Sequence, residues 1–236
     1  SLEYNLKSVN KIILALDTTD LEKAIEITKK VKNKIFTIKL GLEFFNARGK
    51  EGVKKFNQAG ITNLMLDLKI KDIPQTVYKA IKALDDISFG FITIHGQGGK
   101  EMIESAKKAA QEIKSQPEIM IVTILTALSD NDLKDMGNDS SVIQQVEKLA
   151  KIAKEMKVGV VCSGQEAKIV RKIIGPDLLI FTPGIRMKDE NKNDQKRICT
   201  PEESIKNGSN KIIMGRSLIN GDIEKNLKKV SDSLEK

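Results

Sequence analysis

The stretch "LDLKIKDIPQT", residues 66–76, decides the fold because it ends an apolar strand in charged side chains. Leu64 and Met65 lead into it as a buried strand does, and Pro74 suits the first turn of a following helix. Charged residues then stand where the interior of a sheet usually takes Val or Leu, at Asp67, Lys69, Lys71 and Asp72. A strand that passes directly into a helix is the building unit of a parallel sheet.

Eight short apolar runs of this kind occur along the chain, with helical patterns between them. The runs are KIILALD (11–17), IFTIKLG (35–41), NLMLDLK (63–69), FGFITIHG (89–96), EIMIVTILT (118–126), VGVVCSG (158–164), LLIFTPGI (178–185) and NKIIMGRS (210–217). Segments 20–32 and 141–156 carry apolar residues at helical spacing, with Lys and Glu on the other face. Strict alternation of strand and helix predicts parallel strands, and eight repeats predict a closed (β/α)8 TIM barrel. A doubly wound open sheet is the alternative.

Length and composition agree with one barrel. The 236 residues contain no Pro/Gly/Ser-rich linker, so we predict a single catalytic domain over residues 1–236. The net charge is +8, but the lysines are spread over every helical segment, Trp is absent and aromatic residues make up 4%. These features argue against a nucleic-acid partner. No apolar run approaches the ~18 residues of a membrane span, so we expect no membrane association.

Cysteine and histidine usage limits the chemistry. Cys162 and Cys199 are far apart in sequence and form neither a CxxC pair nor a Cys/His cluster. Together with the lack of a signal-peptide pattern, this predicts free packing thiols in a reducing cytoplasm. A single histidine, His95, argues against His-based zinc sites and Ser-His-Asp triads. We predict that His95 is a hydrogen-bonded structural residue and that the protein has no metal site.

Charged residues at three predicted strand ends converge on one face of the barrel. Asp17 ends the first strand, Lys39 the second, and Asp67 and Lys69 the third. Residues two apart on a strand share a face, so Asp67 and Lys69 are expected to point together into the barrel mouth. Buried charges need partners. An ion-pair network that only closes the barrel is the alternative to a functional site, but apolar packing would do that at least as well.

Asp72 and Thr76 have a simpler interpretation when taken alone. A helix is predicted to start near Pro74, so Asp72 is placed to cap it. Thr76 would then be an ordinary residue of the first turn.

The last two strands carry features of an anion site. In barrels the loops after strands 7 and 8 often bind phosphate through backbone N–H groups. Here strand 7 ends in TPGIR and strand 8 in MGRS, where Gly215 allows close backbone approach and Arg216 offers a guanidinium fork. Two connections are long and polar, residues 127–141 and 186–196, as lids or binding loops often are.

The combined motifs resemble one enzyme family. "DLKIKDIPQT" is similar to the D-x-K-x-x-D-I-P-x-T signature of orotidine 5'-phosphate (OMP) decarboxylases. ALD, IKLG, VTILT, TPGIR, DQKR-x-x-TP and MGRS follow in that family's order and spacing, from about Lys11 to Gly221. The Gln-containing loop resembles the bacterial form. Lys71 and Gln75 depart from the commonest residues of the signature, outside its catalytic positions.

The resemblance implies a role for each matching residue. Lys69 matches the lysine that protonates C6 of the pyrimidine, and Asp67 the carboxylate beside the departing CO₂. Lys39 and Asp17 match groups that hold the ribose and complete the charge network. The remaining matches are a pyrimidine contact at Thr126 and phosphate contacts at Arg186, Gln195, Gly215 and Arg216.

The resemblance also implies a shared site and a reaction. Asp72 and Thr76 match residues that reach into the neighbouring subunit's site, which replaces the cap interpretation and implies a homodimer. The implied activity is cofactor-independent decarboxylation of OMP to UMP in de novo pyrimidine biosynthesis. The alternative is a Mg²⁺-dependent phosphosugar barrel, 3-keto-gulonate-phosphate decarboxylase or hexulose-phosphate synthase. Those share Asp-x-Lys-x-x-Asp but usually continue with Ala-Gly or Gly-Gly, where this chain has DIPQT.

Overall fold

Eight parallel strands close into a barrel in the order β1-β2-β3-β4-β5-β6-β7-β8. The computed structural model describes residues 5–190 and 195–235. The strands are β1 Ile12–Leu16, β2 Thr37–Leu40, β3 Leu64–Ile70, β4 Phe91–His95, β5 Glu118–Val122, β6 Gly159–Val161, β7 Ile180–Thr182 and β8 Lys211–Met214. Strand β8 pairs with β1, so the sheet has no free edge. The predicted (β/α)8 barrel is confirmed, and the open-sheet alternative is wrong.

The helices surround the barrel. They are α1 Leu6–Val9, α2 Leu21–Val31, α3 Leu42–Gln58, α4 Pro74–Lys82, α5 Lys100–Glu112, α6 Asp130–Asp135, α7 Val142–Met156, α8 Ala167–Ile174, α9 Pro201–Lys206, α10 Arg216–Ile219 and α11 Ile223–Leu234. The helical patterns at 20–32 and 141–156 are α2 and α7. Each begins where a polar cap accepts a backbone N–H, from Lys23 to Asp20 and from Gln144 to Ser141.

Alternation along the strands divides the core in two. In β1, Ile13 and Ala15 face the barrel interior, while Ile12, Leu14 and Leu16 pack against the helices. Three aromatic rings fill the lower interior, with centroids 5.1 to 6.1 Å apart, from Phe36, Phe91 and Phe181. The interior below the mouth is therefore packed, and only the carboxyl ends of the strands are left for polar chemistry.

Strand register carries the charged residues to that mouth. Ala15 pairs with Lys39 across β1 and β2, and Lys39 pairs with Met65 across β2 and β3. Ala15 and Met65 face inward, so the next inward positions along their strands are Asp17 and Asp67. Neighbouring strands thus bring together residues that are distant in sequence.

The two long connections contain more regular structure than the sequence predicted. Residues 127–141 are not structureless, because they contain α6, which Ser129 and Asp132 begin with a reciprocal capping box. In the second connection, Ile185 and Cys199 form a bridge that closes the base of the loop. The part of the predicted lid at 191–194 lies outside the described residues.

Two further sequence predictions concern thiols and membrane spans. Cys162 and Cys199 are both buried and free. Burial raises the pKa of both thiols, that of Cys199 to about 12 with help from the neighbouring Glu203 carboxylate. Across residues 5–190 and 195–235, the structure has no helix whose length and apolar character would let it cross a membrane.

Candidate active site

Asp67 lies at the centre of a buried charged cluster at the barrel mouth. Its Oδ2 is 2.8 Å from Lys69 Nζ and 3.2 Å from Lys39 Nζ. Its Oδ1 accepts a 2.8 Å hydrogen bond from the Thr93 hydroxyl. The charged cluster, as we call Lys39, Asp67, Lys69 and Thr93, thus holds two ammonium groups around one carboxylate. The structure therefore brings Lys39, Asp67 and Lys69 together at the strand ends, as the sequence predicted.

The surroundings of Asp67 keep its carboxyl group ionised. Burial alone would raise the pKa of Asp67, but the charges of Lys39 and Lys69 lower it, and hydrogen bonds from Lys69 and Thr93 lower it further. The resulting pKa is about 2. The carboxylate is therefore negative at neutral pH, and it offers both lysines an anionic partner.

The backbone around Lys69 is not a regular strand. Lys69 has a positive φ of 46°, and the pairing of β3 with β4 shifts register between Leu66 and Ile70. Thr93 stabilises this conformation by accepting a 3.0 Å hydrogen bond from the Lys69 N–H. The alternation of side chains along a regular strand predicted correctly that Asp67 and Lys69 meet. The strand is irregular at that point, however, so regular alternation is not the reason why they meet.

A polar cavity of about 310 Å³ opens beside the charged cluster. Lys39 borders it and so connects the two regions. Several other predicted site residues line this cavity, namely Asp17, Arg186, Gln195, Gly215 and Arg216. Residues from β1, β2 and the loops after β7 and β8 thus meet in one concave site.

Asp17 lies in this cavity but outside the ion-pair cluster. It is exposed and, within the described part of the chain, makes no ion pair. A Cβ atom on Gly41 would lie 3.7 Å from Asp17 Oδ1 and 3.9 Å from the Asp67 carbonyl oxygen. The carboxylate is therefore next to the start of α3, at the edge of the charged cluster.

The far side of the cavity, which we call the loop end, is formed by Gln195, Gly215, Arg216 and Ser217. Arg216 is exposed, and no described residue forms an ion pair with its guanidinium group. The Ser217 hydroxyl donates a 2.7 Å hydrogen bond to Glu190, a carboxylate on the cavity wall that sequence reasoning did not identify. The loop end therefore offers a cation that forms no ion pair with the described residues.

Thr126 and Gln195 are directly joined. The Thr126 hydroxyl donates a 2.6 Å hydrogen bond to Gln195 Oε1. The Thr126 carbonyl oxygen accepts from the N–H groups of Lys196 and Arg197, at 3.0 and 3.2 Å. The loop after β5 and the loop after β7 are thus bonded to each other, a contact that the separate sequence predictions for these residues did not include.

Arg197 and Glu166 form another buried ion pair, and the sequence patterns did not predict it. Arg197 Nε is 3.1 Å from Glu166 Oε2, and both side chains are largely buried. Sequence signals existed, because Arg197 lies inside the DQKR-x-x-TP motif and Glu166 follows β6. Neither signal indicated that Arg197 and Glu166 pair with each other, because the two residues are distant in sequence.

Asp72 and Thr76 form no hydrogen bond or ion pair with the charged cluster within the described residues. Both are exposed, and α4 begins at Pro74 with Ile73 as its cap residue. Among the described residues, the Asp72 carboxylate accepts only the adjacent Ile73 N–H, so the cap interpretation of Asp72 is wrong. Thr76 is a first-turn residue of α4, and its side chain faces solvent.

His95 also differs from expectation. It was predicted to be hydrogen-bonded, but its Nδ1 is buried without a hydrogen-bond partner among the described residues. Burial lowers the pKa of His95, and the nearby charges of Lys71 and Lys69 lower it further. The neutral form of the ring is therefore favoured beside the charged cluster.

A closed parallel barrel with buried ion pairs and a polar cavity at its carboxyl-terminal face defines a (β/α)8-barrel enzyme site. Residues 10–229 match the Orotidine 5'-phosphate decarboxylase / HUMPS family, and the chain belongs to this family. The resemblance predicted from the sequence is thus confirmed.

Individual relatives cover nearly the whole chain. The Orotidine 5'-phosphate decarboxylase of Ehrlichia canis is 42% identical over 89% of this chain and 90% of its own length. That of Rhodospirillum rubrum is 37% identical over 89% and 87%. The crystal structure of Orotidine 5'-phosphate decarboxylase from Lactobacillus acidophilus has a TM-score of 0.81 at 33% identity, over 96% of this chain and all of that chain.

Proposed function

We propose that this protein decarboxylates OMP to UMP in pyrimidine biosynthesis, without a metal or organic cofactor, as a single catalytic domain in the cytoplasm. The observation that supports this most directly is the charged cluster, in which Asp67 binds both Lys39 and Lys69. The family and the names of its relatives agree with this substrate.

The reaction explains why charges would be buried here. Loss of CO₂ from orotate leaves an electron pair at C6 in an sp² orbital that cannot delocalise into the ring. A fixed ammonium group near C6 stabilises that charge, and it needs no reorganisation because it is already in place. Lys69 then gives its proton to C6 to form UMP, and solvent restores the proton on the lysine.

Asp67 and Lys39 would support Lys69. Asp67 stays anionic and places its negative charge 2.8 Å from Lys69 Nζ and 3.2 Å from Lys39 Nζ. Thr93 holds the other carboxylate oxygen and also the backbone of Lys69. In this proposal Asp67 lies beside the carboxylate that leaves as CO₂, and Lys39 with Asp17 holds the ribose.

The loop end would bind the phosphate. Arg216 has no described ion-pair partner, and Gly215 brings backbone to the cavity wall. We place the phosphate against Gly215 and Arg216, with Arg186 and Gln195 completing the contacts and Thr126 directed to the pyrimidine. Binding a remote phosphate can pin the ring against Lys69 and so contribute to the rate.

We further propose a homodimer in which Asp72 and Thr76 reach the neighbouring subunit's site. Large apolar side chains are exposed shortly after strand ends on the same side of the barrel, with Ile73 65%, Leu42 54% and Leu125 38% exposed. They follow β3, β2 and β5 respectively. A second copy covering this face would bury them and bring Asp72 to a charged cluster that it does not reach within its own chain.

The direct test is loss of OMP absorbance on adding protein dialysed against EDTA, with UMP identified as product. Full turnover without added metal is expected, and the Lys69→Ala variant serves as the control for a contaminating enzyme. A requirement for Mg²⁺, or turnover of a phosphosugar but not of OMP, would favour the phosphosugar alternative. Absence of UMP would contradict the proposal.

A further inference from the structure

The Arg197 side chain joins three separate loops at the rim of the barrel. Its Nε contacts Glu166, at the start of α8, with both carboxylate oxygens within 3.2 Å. Its Nη2 donates to the Ile124 carbonyl oxygen at 2.9 Å, and Nη1 donates to those of Leu125 and Leu128. One guanidinium group thus binds the loop after β5 and the segment after β6 from a position on the loop after β7.

The partners of Arg197 are themselves held in place. Glu166 is 4% exposed and also accepts a hydrogen bond from the Ser163 hydroxyl. A buried carboxylate with two hydrogen-bonded partners is a rigid attachment point, because breaking the pair leaves a charge without compensation. Arg197 suits three carbonyls and one carboxylate because its five N–H donors have fixed directions.

The residues that this anchor fixes are the ones that reach the cavity. Thr126 lies between the carbonyls that Arg197 binds, and Gln195 is two residues before Arg197. Their side chains are bonded to each other at 2.6 Å, and the Thr126 carbonyl accepts two N–H groups from 196–197. Gly184 permits this close packing, since a Cβ there would be 2.8 Å from Gln195 Oε1.

We propose that Arg197 is a positioning residue that holds Thr126 and Gln195 as one unit, so that phosphate contact at Gln195 and base contact at Thr126 are coupled. This rests on the proposed function for the roles of those two residues. Arg197 does not line the cavity and acts only through its neighbours. Removing it is expected to misplace both contacts while the charged cluster stays intact.

The test is a double-mutant cycle on OMP turnover between Arg197→Met and Gln195→Ala. Gln195→Ala alone should lower kcat/KM for OMP about tenfold or more, because a displaced contact of this kind costs that much. In the Arg197→Met background the same change should cost less than about threefold, since Gln195 is already misplaced. Arg197→Met should also lower turnover of OMP more than that of phosphate-free orotidine.

A matched control lies next to Arg197. Lys196→Met removes an exposed pair with Asp132, 2.9 Å long, on the same loop, and it should leave both substrates nearly unchanged. Should Arg197→Met fail to fold by circular dichroism, Arg197→Lys takes its place, because it keeps a charge near Glu166 but cannot reach three carbonyls. Multiplicative effects in the cycle, or equal losses on both substrates, would overturn the proposal and leave Arg197 a stabilising residue only.

Hydrogen exchange supplies a readout that does not depend on activity. The N–H groups of Lys196 and Arg197 should lose protection in Arg197→Met, because they are bonded to the Thr126 carbonyl. Unchanged protection would overturn the proposal. If the wild-type protein forms no UMP, the proposed function fails by itself, and the exchange measurement still decides whether Arg197 holds the two loops together.

Discussion

At the charged cluster, Lys39 and Lys69 already have Asp67 as a buried anionic partner, whereas at the loop end Arg216 is exposed and has none among the described residues. The cluster is built on strands, which are fixed by pairing around the barrel. The loop end is built on segments that follow β7 and β8. Under the proposed function, the charges that act on the reacting atoms are in place before substrate binds, whereas Arg216 gains its anionic partner only from the phosphate of the substrate.

The largest effect is expected from removing Lys69, the ammonium group that the proposed mechanism places next to C6. Lys69→Ala should lower kcat by several powers of ten while the fold persists, because both the charge that stabilises the carbanion and the proton source are lost. Lys71→Ala is the matched control, since Lys71 is exposed two residues further on. Activity of Lys69→Ala within about tenfold of wild type, worth only ~1.4 kcal/mol, would show that the charged cluster is structural.

The second prediction asks whether the charged cluster is complete within one chain. Lys69→Ala and Asp72→Ala chains, each inactive alone, should recover activity when mixed under exchange conditions, approaching half the sites in heterodimers. In a mixed dimer one site carries both lesions and the other carries neither. Tag pull-down verifies that heterodimers form.

The control for this experiment mixes Lys69→Ala with Lys39→Ala. Both lesions then lie in the chain's own cluster, so every site keeps one defect and no activity should return. Confirmed heterodimers without recovery in the first mixture would mean that Asp72 acts within its own chain or not at all.

The third prediction concerns the loop end. Arg216→Ala should lower kcat/KM for OMP roughly 100-fold, because charge-assisted hydrogen bonds to phosphate are worth ~1.5–3 kcal/mol each. Turnover of phosphate-free orotidine should change little, since Arg216 can act only through an anion that it contacts. Equal losses on both substrates would assign Arg216 a structural role and remove the contrast between the two regions.

The two regions also differ in how far sequence patterns could predict them. Alternation of strands and helices predicted the barrel, and polar residues at strand ends predicted that Lys39, Asp67 and Lys69 meet. Thr93 was missed because its contacts depend on the register shift between β3 and β4. Arg197 was missed because three of its partners are backbone carbonyls, which carry no sequence signal.

Asp72 shows a different limit of sequence reasoning. Spacing before Pro74 favoured a helix cap, yet α4 starts with Ile73 at the cap position and Asp72 faces solvent. Local sequence preference predicted the start of α4 correctly, but it did not explain why Asp72 stands next to that start. If Asp72 acts in a partner's site, no pattern within one chain can supply the physical reason for its position.

The smallest effect tests whether the cluster is paired in the free protein. The pKa of Asp67 is about 2 in the folded state, against about 3.9 for an unfolded Asp. Its depressed pKa therefore stabilises the fold by ~2–3 kcal/mol at neutral pH, and this contribution is lost as pH falls from about 4 through 2. The free energy of unfolding, from urea titrations, should fall more steeply over that range in wild type than in Asp67→Asn. Arg216→Ala should follow the wild-type curve within ~0.5 kcal/mol, because an exposed side chain that forms no ion pair within the described residues contributes little to stability. Parallel curves for wild type and Asp67→Asn would mean that the lysines do not hold Asp67 in the absence of substrate. The charged cluster and the loop end would then no longer differ in whether their cations are paired before substrate binds.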